Sequence, residues 1–185
     1  TLSYVDIDNR AAERNATAHL LRLSRKRIAT ISGPLTSVAA IDRRAGYLDA
    51  LDRAGIESDP DLVFESDFSA ASGAAGARRL MAHNPDAIIA ANDVMAIAAM
   101  GELAAMGVQV PEDVAVVGFD DLKAAAQANP PLTTVRQSIS LLASEAVRAL
   151  TDLIEDPSLP PQQVVIPTEL VVRASCGAQS KQGER

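Results

Sequence analysis

The chain has 185 residues, a formal net charge of −7, 48% hydrophobic and 22% charged residues, and 3% aromatics with no Trp. That length supports one large or two small domains whose core needs neither disulfides nor a metal. The acidic balance without a basic run argues against nucleic-acid binding by this chain itself, no apolar stretch approaches the ~18 residues of a membrane span, and the single Cys176 cannot close an internal disulfide.

Tyr4 to Ile7 reads as a strand end, and Asp8 or Asn9 can cap the helix that follows. Ala12, Ala16, Leu20 and Leu23 recur at helical spacing, which predicts a helix over 11–23. The basic run Ser24-Arg25-Lys26-Arg27 is read as a solvated turn into a β-branched strand, Ile28 to Ile31, broken by Gly33-Pro34. A second helix covers 39–54 and stops at Gly55. Leu62 to Phe64 is a short strand, Ser69 opens a helix to about His83, and Asn84-Pro85 ends it. Ala87 to Ala90 is a strand without polar alternation, as expected when both faces are covered. Ala91-Asn92-Asp93 is a turn and cap, and 94–106 is a helix closed by Gly107. A buried strand at 114–117 ends at Gly118, and a short helix over 122–128 stops before Pro130-Pro131. After this come an extended segment at 132–135, a long helix over 139–154 and two short strands at 164–166 and 170–172.

Strand and helix thus alternate about four times, the pattern of an α/β fold with a parallel sheet and helices on both faces. The long helix and the first strand are expected to lack a sheet of their own within this chain. Ligands of such folds meet the carboxyl ends of the strands. The residues there include Arg43, Phe68, Asn92, Asp93, Asp120, Asp121 and Gln137. A guanidinium fork, an aromatic face, amides and carboxylates together suit a polyhydroxyl ligand. Each also has a plainer role open to it. Arg43 can pair with Asp42 or Asp49, Phe68 can be core, and Asn92-Asp93 or Asp120-Asp121 can cap the next helix. No His/Cys/Asp metal spacing and no phosphate loop stands out, so no cofactor is expected, and Cys176 is read as inert.

The stretches Ala91-Asn92-Asp93-Val94-Met95-Ala96, Pro111 to Asp121 and Pro131-Leu132-Thr133-Thr134-Val135-Arg136-Gln137, with Val5 to Asn9, Ile31 to Pro34 and Arg43 before Gly46-Tyr47, stand in a specific order. In that order they resemble the effector-binding core of the LacI/GalR family of bacterial transcriptional regulators, over about residues 4–175. The resemblance implies a type I periplasmic-binding-protein-like fold with a complete C-terminal subdomain (9–134 and 168–174). Remnants of an N-terminal subdomain (1–8 and 135–167) and a flexible tail (175–185) accompany it. It implies effector contacts at Arg43, Phe68, Asn92, Asp120 and Gln137, with Phe68 stacking on the ligand. It places the helices at 94–106 and 122–128 near a homodimer interface, and the helix-turn-helix head upstream of Thr1. Ser24-Arg25 departs from the family's usual Gly-His, at a helix end away from the pocket.

The function implied is that of a cytoplasmic, non-enzymatic regulator, a repressor in most such proteins. It would sense a small effector, a sugar first and a nucleobase or nucleoside second, and change operator affinity by a population shift. Operator DNA would be held by the upstream domain, and no membrane partner is expected. The alternative on the same fold is a periplasmic sugar-binding protein of a transporter. An acid–base role for Asp120 and Asp121 fits poorly, because adjacent carboxylates rarely flank one bond.

Overall fold

A computed structural model describes residues 2–178. The elements run β1 (Tyr4–Ile7), α1 (Asn9–Arg22), β2 (Ile28–Ser32), α2 (Val38–Arg53), β3 (Val63–Glu65), α3 (Ala70–Leu80), β4 (Ala87–Ala90), α4 (Asp93–Ala105), β5 (Ala115–Asp120), α5 (Lys123–Gln127), β6 (Thr133–Gln137), α6 (Ile139–Glu155), β7 (Gln163–Ile166) and β8 (Thr168–Val171). Six strands form one sheet in the order β3-β2-β4-β5-β6-β8, parallel except for β8, which runs antiparallel to β6.

Period-two alternation in the central strands divides the core into two layers. Ile28, Ala87, Ile89, Ala115, Val117 and Phe119 pack with Ala12, Ala16, Leu20, Tyr47 and Leu51 from α1 and α2. Ala29, Ile31, Ile88, Ala90 and Val116 pack with Ala77, Leu80, Met95 and Leu103 from α3 and α4. Both faces of β2, β4 and β5 are therefore closed to water, as their unbroken apolar sequences require. Each fully buried Ile or Leu contributes about 1.5–3 kcal/mol.

The helix ends follow local chemistry. Asp8 accepts the Ala11 N–H at 2.8 Å and Ser69 accepts the Ser72 N–H at 3.1 Å, so each starts its helix. Close packing of α1 on α2 depends on Gly46, where a Cβ would strike the Arg10 carbonyl oxygen.

Four details differ from the sequence reading. β5 does not end at Gly118 but continues through Phe119 to Asp120, because β6 pairs with it that far. The first strand is not without a sheet: β1 pairs in parallel with β7, Tyr4 opposite Gln163, and α6 packs on this pair. The expected subdomain break after residue 134 falls inside β6, whose ladder to β8 runs on to Gln137. The tail expected from 175 starts as structure, since Ser175 and Cys176 are buried in a 3-10 turn and the Ser175 hydroxyl donates to the Val116 carbonyl at 2.6 Å. Residues 179–185 of that tail lie outside the described residues.

Candidate functional site

The sheet order reverses between β2 and β4, since β3 lies on one side of β2 and β4 on the other. Such a reversal opens a crevice beyond the strand carboxyl ends. Arg43, from the middle of α2, reaches into it. Its Nε donates to Asn9 Oδ1 at 2.9 Å, and its Nη1 donates to the carbonyl oxygen of Ala91, just past β4. The guanidinium lies 3.6 Å from the centroid of the Phe119 ring, a cation–π stack at the end of β5. Only 8% of Arg43 is exposed, so the plainer expectation of a surface pair with Asp42 or Asp49 does not hold; Arg10 takes Asp49 instead, at 2.7 Å.

Asp120 and Gln137 meet at the neighbouring strand ends, where Gln137 Nε2 donates to Asp120 Oδ1 at 2.6 Å. Burial pushes the Asp120 carboxyl up from its ordinary value, while Arg43 and the Gln137 bond pull it back. Asp120 and Asp121 both have positive φ, 109° and 55°. Asp121 turns away from the crevice to Arg173 and Arg136, at 2.6 and 2.7 Å. Its burial would raise its pKa, but these two bonds outweigh that and hold it below the usual carboxylate value.

Asn92 does cap a helix: Oδ1 accepts the Met95 N–H at 2.8 Å, while Nδ2 donates to the Phe68 carbonyl at 3.1 Å. Phe68 is half-buried with φ 68°, and its ring lies over Gly33, where any Cβ would fall inside it. The ring also packs on the α3–α4 side of the core. Asn9, Arg43, Ala91, Asn92 and Phe68 thus form one connected rim, and Asp120 with Gln137 faces it across Phe119.

Two contributors, Phe119 and Glu13, escaped the sequence reading, and a third, Asp93, was read only as a strand-end residue or a cap of its own helix. Phe119 was placed past the end of its strand. Asp93 is fully buried, accepting the Thr134 hydroxyl at 2.6 Å and the Leu122 N–H at 2.7 Å, so Asp93 rather than Asp120 or Asp121 caps the turn into α5. Burial foremost, and Asp120 and Asp121 nearby, push its carboxyl up to about 6. Glu13 is 1% exposed, and burial pushes it up to about 8 against the pull of Arg43. Its Oε2 and the Thr17 hydroxyl have no hydrogen-bond partner among the described residues. The signal for Glu13 was its place in the buried stripe of Asn9, Ala12, Ala16, Thr17 and Leu20 on α1. Cys176 is buried, with its Sγ 3.4 Å from His19 Nε2. Among the described residues no cluster of His, Cys, Asp or Glu is placed to hold a metal, and no helix is long and apolar enough to cross a membrane.

A family model described as a periplasmic binding protein-like domain matches residues 17–176. The HTH-type transcriptional regulator CelR of Thermobifida fusca is 46% identical over 176 residues, 94% of this chain and 52% of that protein. The HTH-type transcriptional repressor PurR of Pasteurella multocida is 35% identical over 162 residues, 86% of this chain and 48% of that protein. Among solved structures, a transcriptional regulator CelR–cellobiose complex superposes with a TM-score of 0.91 at 46% identity, covering 94% of this chain and 54% of that one. The chain spans about half the length of the curated relatives it matches.

Proposed function

The chain belongs to the periplasmic binding protein-like domain family, and on that footing we propose that it is the effector-binding core of a transcriptional regulator, a repressor acting in the cytoplasm. The effector sits at the carboxyl ends of β2, β4, β5 and β6. Arg43 and Asp120 bind its hydroxyls, Asn92 and Gln137 bind further polar groups, and Phe68 covers an apolar face. A saccharide suits this set first and a nucleoside second; the related CelR was solved with cellobiose. The chain has no role as an enzyme in this reading.

The six-stranded sheet with α1 to α5 is one lobe of the cleft. β1, β7 and α6 are part of a second lobe, joined to the first near Asp8, Ser138 and Pro167. Closure of the lobes on the effector shifts the balance between two arrangements of a homodimer, with α4 and α5 near the interface, and so changes the grip on operator DNA by a separate domain. Exposed Val94, Met106 and Leu122 on and beside those helices are in keeping with such a contact. The shift needs differential affinity, about 1.4 kcal/mol for each tenfold preference between the states.

The observation that carries this reading is the Arg43 assembly at the strand-order reversal: a buried guanidinium fixed by Asn9, Ala91 and Phe119, with Asp120 and Gln137 beside it. The test is a thermal-shift titration of the full-length protein with cellobiose, glucose, adenosine and hypoxanthine. A ligand at 100 times its Kd stabilises by about 2.7 kcal/mol. A dose-dependent rise that Asp120→Ala abolishes is expected; no rise with any of the four would overturn the reading.

A further inference from the structure

Among the described residues, the crevice sets the buried Arg43 against a surplus of carboxylates; Arg10, which also feels Asp8 and Asp42, is already engaged by Asp49 at 2.7 Å. A groove of about 390 Å³ beside the Arg43 rim is lined by Tyr4, Asp6, Asp8, Asn9, Asp42 and Val165, among others. Asn9 belongs to both, since its side chain also accepts from Arg43. Three acids, Asp6, Asp8 and Asp42, therefore open on the same space, and Asp120 acts on Arg43 beside it. The charge of Arg43 is already opposed from Asp120 and Asp6. Its bonds to Asn9 and Ala91 and its stack on Phe119 hold it as part of the wall.

Helix N-termini are the other common seat for an anion, because their free N–H groups and dipole favour negative charge. Here three of those that open on the strand ends, at α1, α3 and α4, are closed by their own side chains. Asp8 takes the Ala11 N–H of α1, Ser69 the Ser72 N–H of α3, and Asn92 the Met95 N–H of α4. The Leu122 N–H before α5 goes to Asp93. At α2, Ser37 makes no such bond, but Asp42, a turn further along that helix, faces the groove.

We propose that this half of the cleft selects an uncharged polyhydroxyl effector and rejects its phosphorylated counterpart, with Asp6 and Asp42 as the residues that discriminate. The inference rests on the effector-binding reading and narrows it. Hydroxyls can donate to these carboxylates and accept from the remaining guanidinium hydrogens. A phosphate monoester carries about −1.5 to −2 charges near neutrality and accepts only, so in this groove it meets repulsion and few donors.

The experiment is calorimetric titration of the full-length protein with matched pairs: cellobiose and cellobiose 6′-phosphate, glucose and glucose 6-phosphate, adenosine and AMP. For the pair whose neutral member binds, the phosphorylated member is expected to bind at least about tenfold more weakly. The gap should shrink as salt rises, since exposed charges are screened. It should also shrink several-fold in the double variant Asp6→Asn with Asp42→Asn, whose folding is checked by its melting curve. Equal or tighter binding of a phosphorylated member overturns the inference and leaves the effector reading standing. A gap that the double variant leaves unchanged overturns the assignment to Asp6 and Asp42. No binding by any member of any pair overturns the effector reading itself, and the inference with it.

Discussion

At Arg43 a charge is taken out of water and must be compensated. Burial lowers its pKa, while Glu13, Asp120 and Asp6 raise it. Two of these acids belong to or face the crevice, but Glu13 lies behind it, fully enclosed, with one oxygen lacking a partner. Its carboxyl titrates at about 8 in the folded chain against 4.5 as a free side chain. The folded state therefore holds a proton that the unfolded state has released, and stability falls as pH rises towards 8. Between pH 7 and 8 the other shifted groups near neutrality, His19 (lowered) and Asp93 (about 6), have largely finished titrating. Urea unfolding should then show a loss of up to about 1 kcal/mol across that interval, and Glu13→Gln should flatten it. A wild-type curve that is level from pH 7 to 8 would mean that Glu13 is ionised in the fold.

At the level of elements, the start of α4 does the most to shape the site. Asn92 closes the helix and, through its amide, ties the Phe68 backbone in its left-handed conformation to the same point. Asp93, next in sequence, reaches the other way to Thr134 on β6 and to the entry of α5. One helix end thus fixes both walls of the crevice. Asn92→Ala removes a cap worth about 1 kcal/mol and also the donor to Phe68. Chemical denaturation should show at least that loss, and the ligand-induced thermal shift should fall with it. Loss of stability with an undiminished ligand shift would reduce Asn92 to a cap alone.

On the scale of the whole molecule, the two sheets are finished to different degrees. The central strands β2, β4 and β5 of the six-stranded sheet are covered on both faces. In α6, by contrast, only Ala149 of 17 residues is buried, while Ile139, Val147, Leu150 and Ile154 are each at least 60% exposed. An apolar face of that kind is expected to bind a hydrophobic dye. Dye fluorescence of these 185 residues expressed alone should exceed that of the full-length protein, and Val147→Glu with Ile154→Glu should lower it. Equal fluorescence from both would show that this face stays open in the longer protein.

The sequence by itself determined the order of elements and the residue types at each strand end, because burial periodicity, caps and turn residues act over a few neighbours. Ala87 to Ala90 read as a strand covered on both sides, and the strand ends from Arg43 to Gln137 offered candidate contacts that the family resemblance narrowed to five. What it left open were contacts between residues far apart in the chain. That Arg43 stacks on Phe119 instead of pairing on a helix surface, that β1 finds β7, and that Asp93 caps the next helix all depend on which strands lie side by side. Period and propensity carry no information about that adjacency. It is set when the sheet closes over its two core layers, and only then do Asp6, Asp8 and Asp42 come to line one groove, and Asp120 and Asp6 come within electrostatic reach of the buried Arg43 guanidinium.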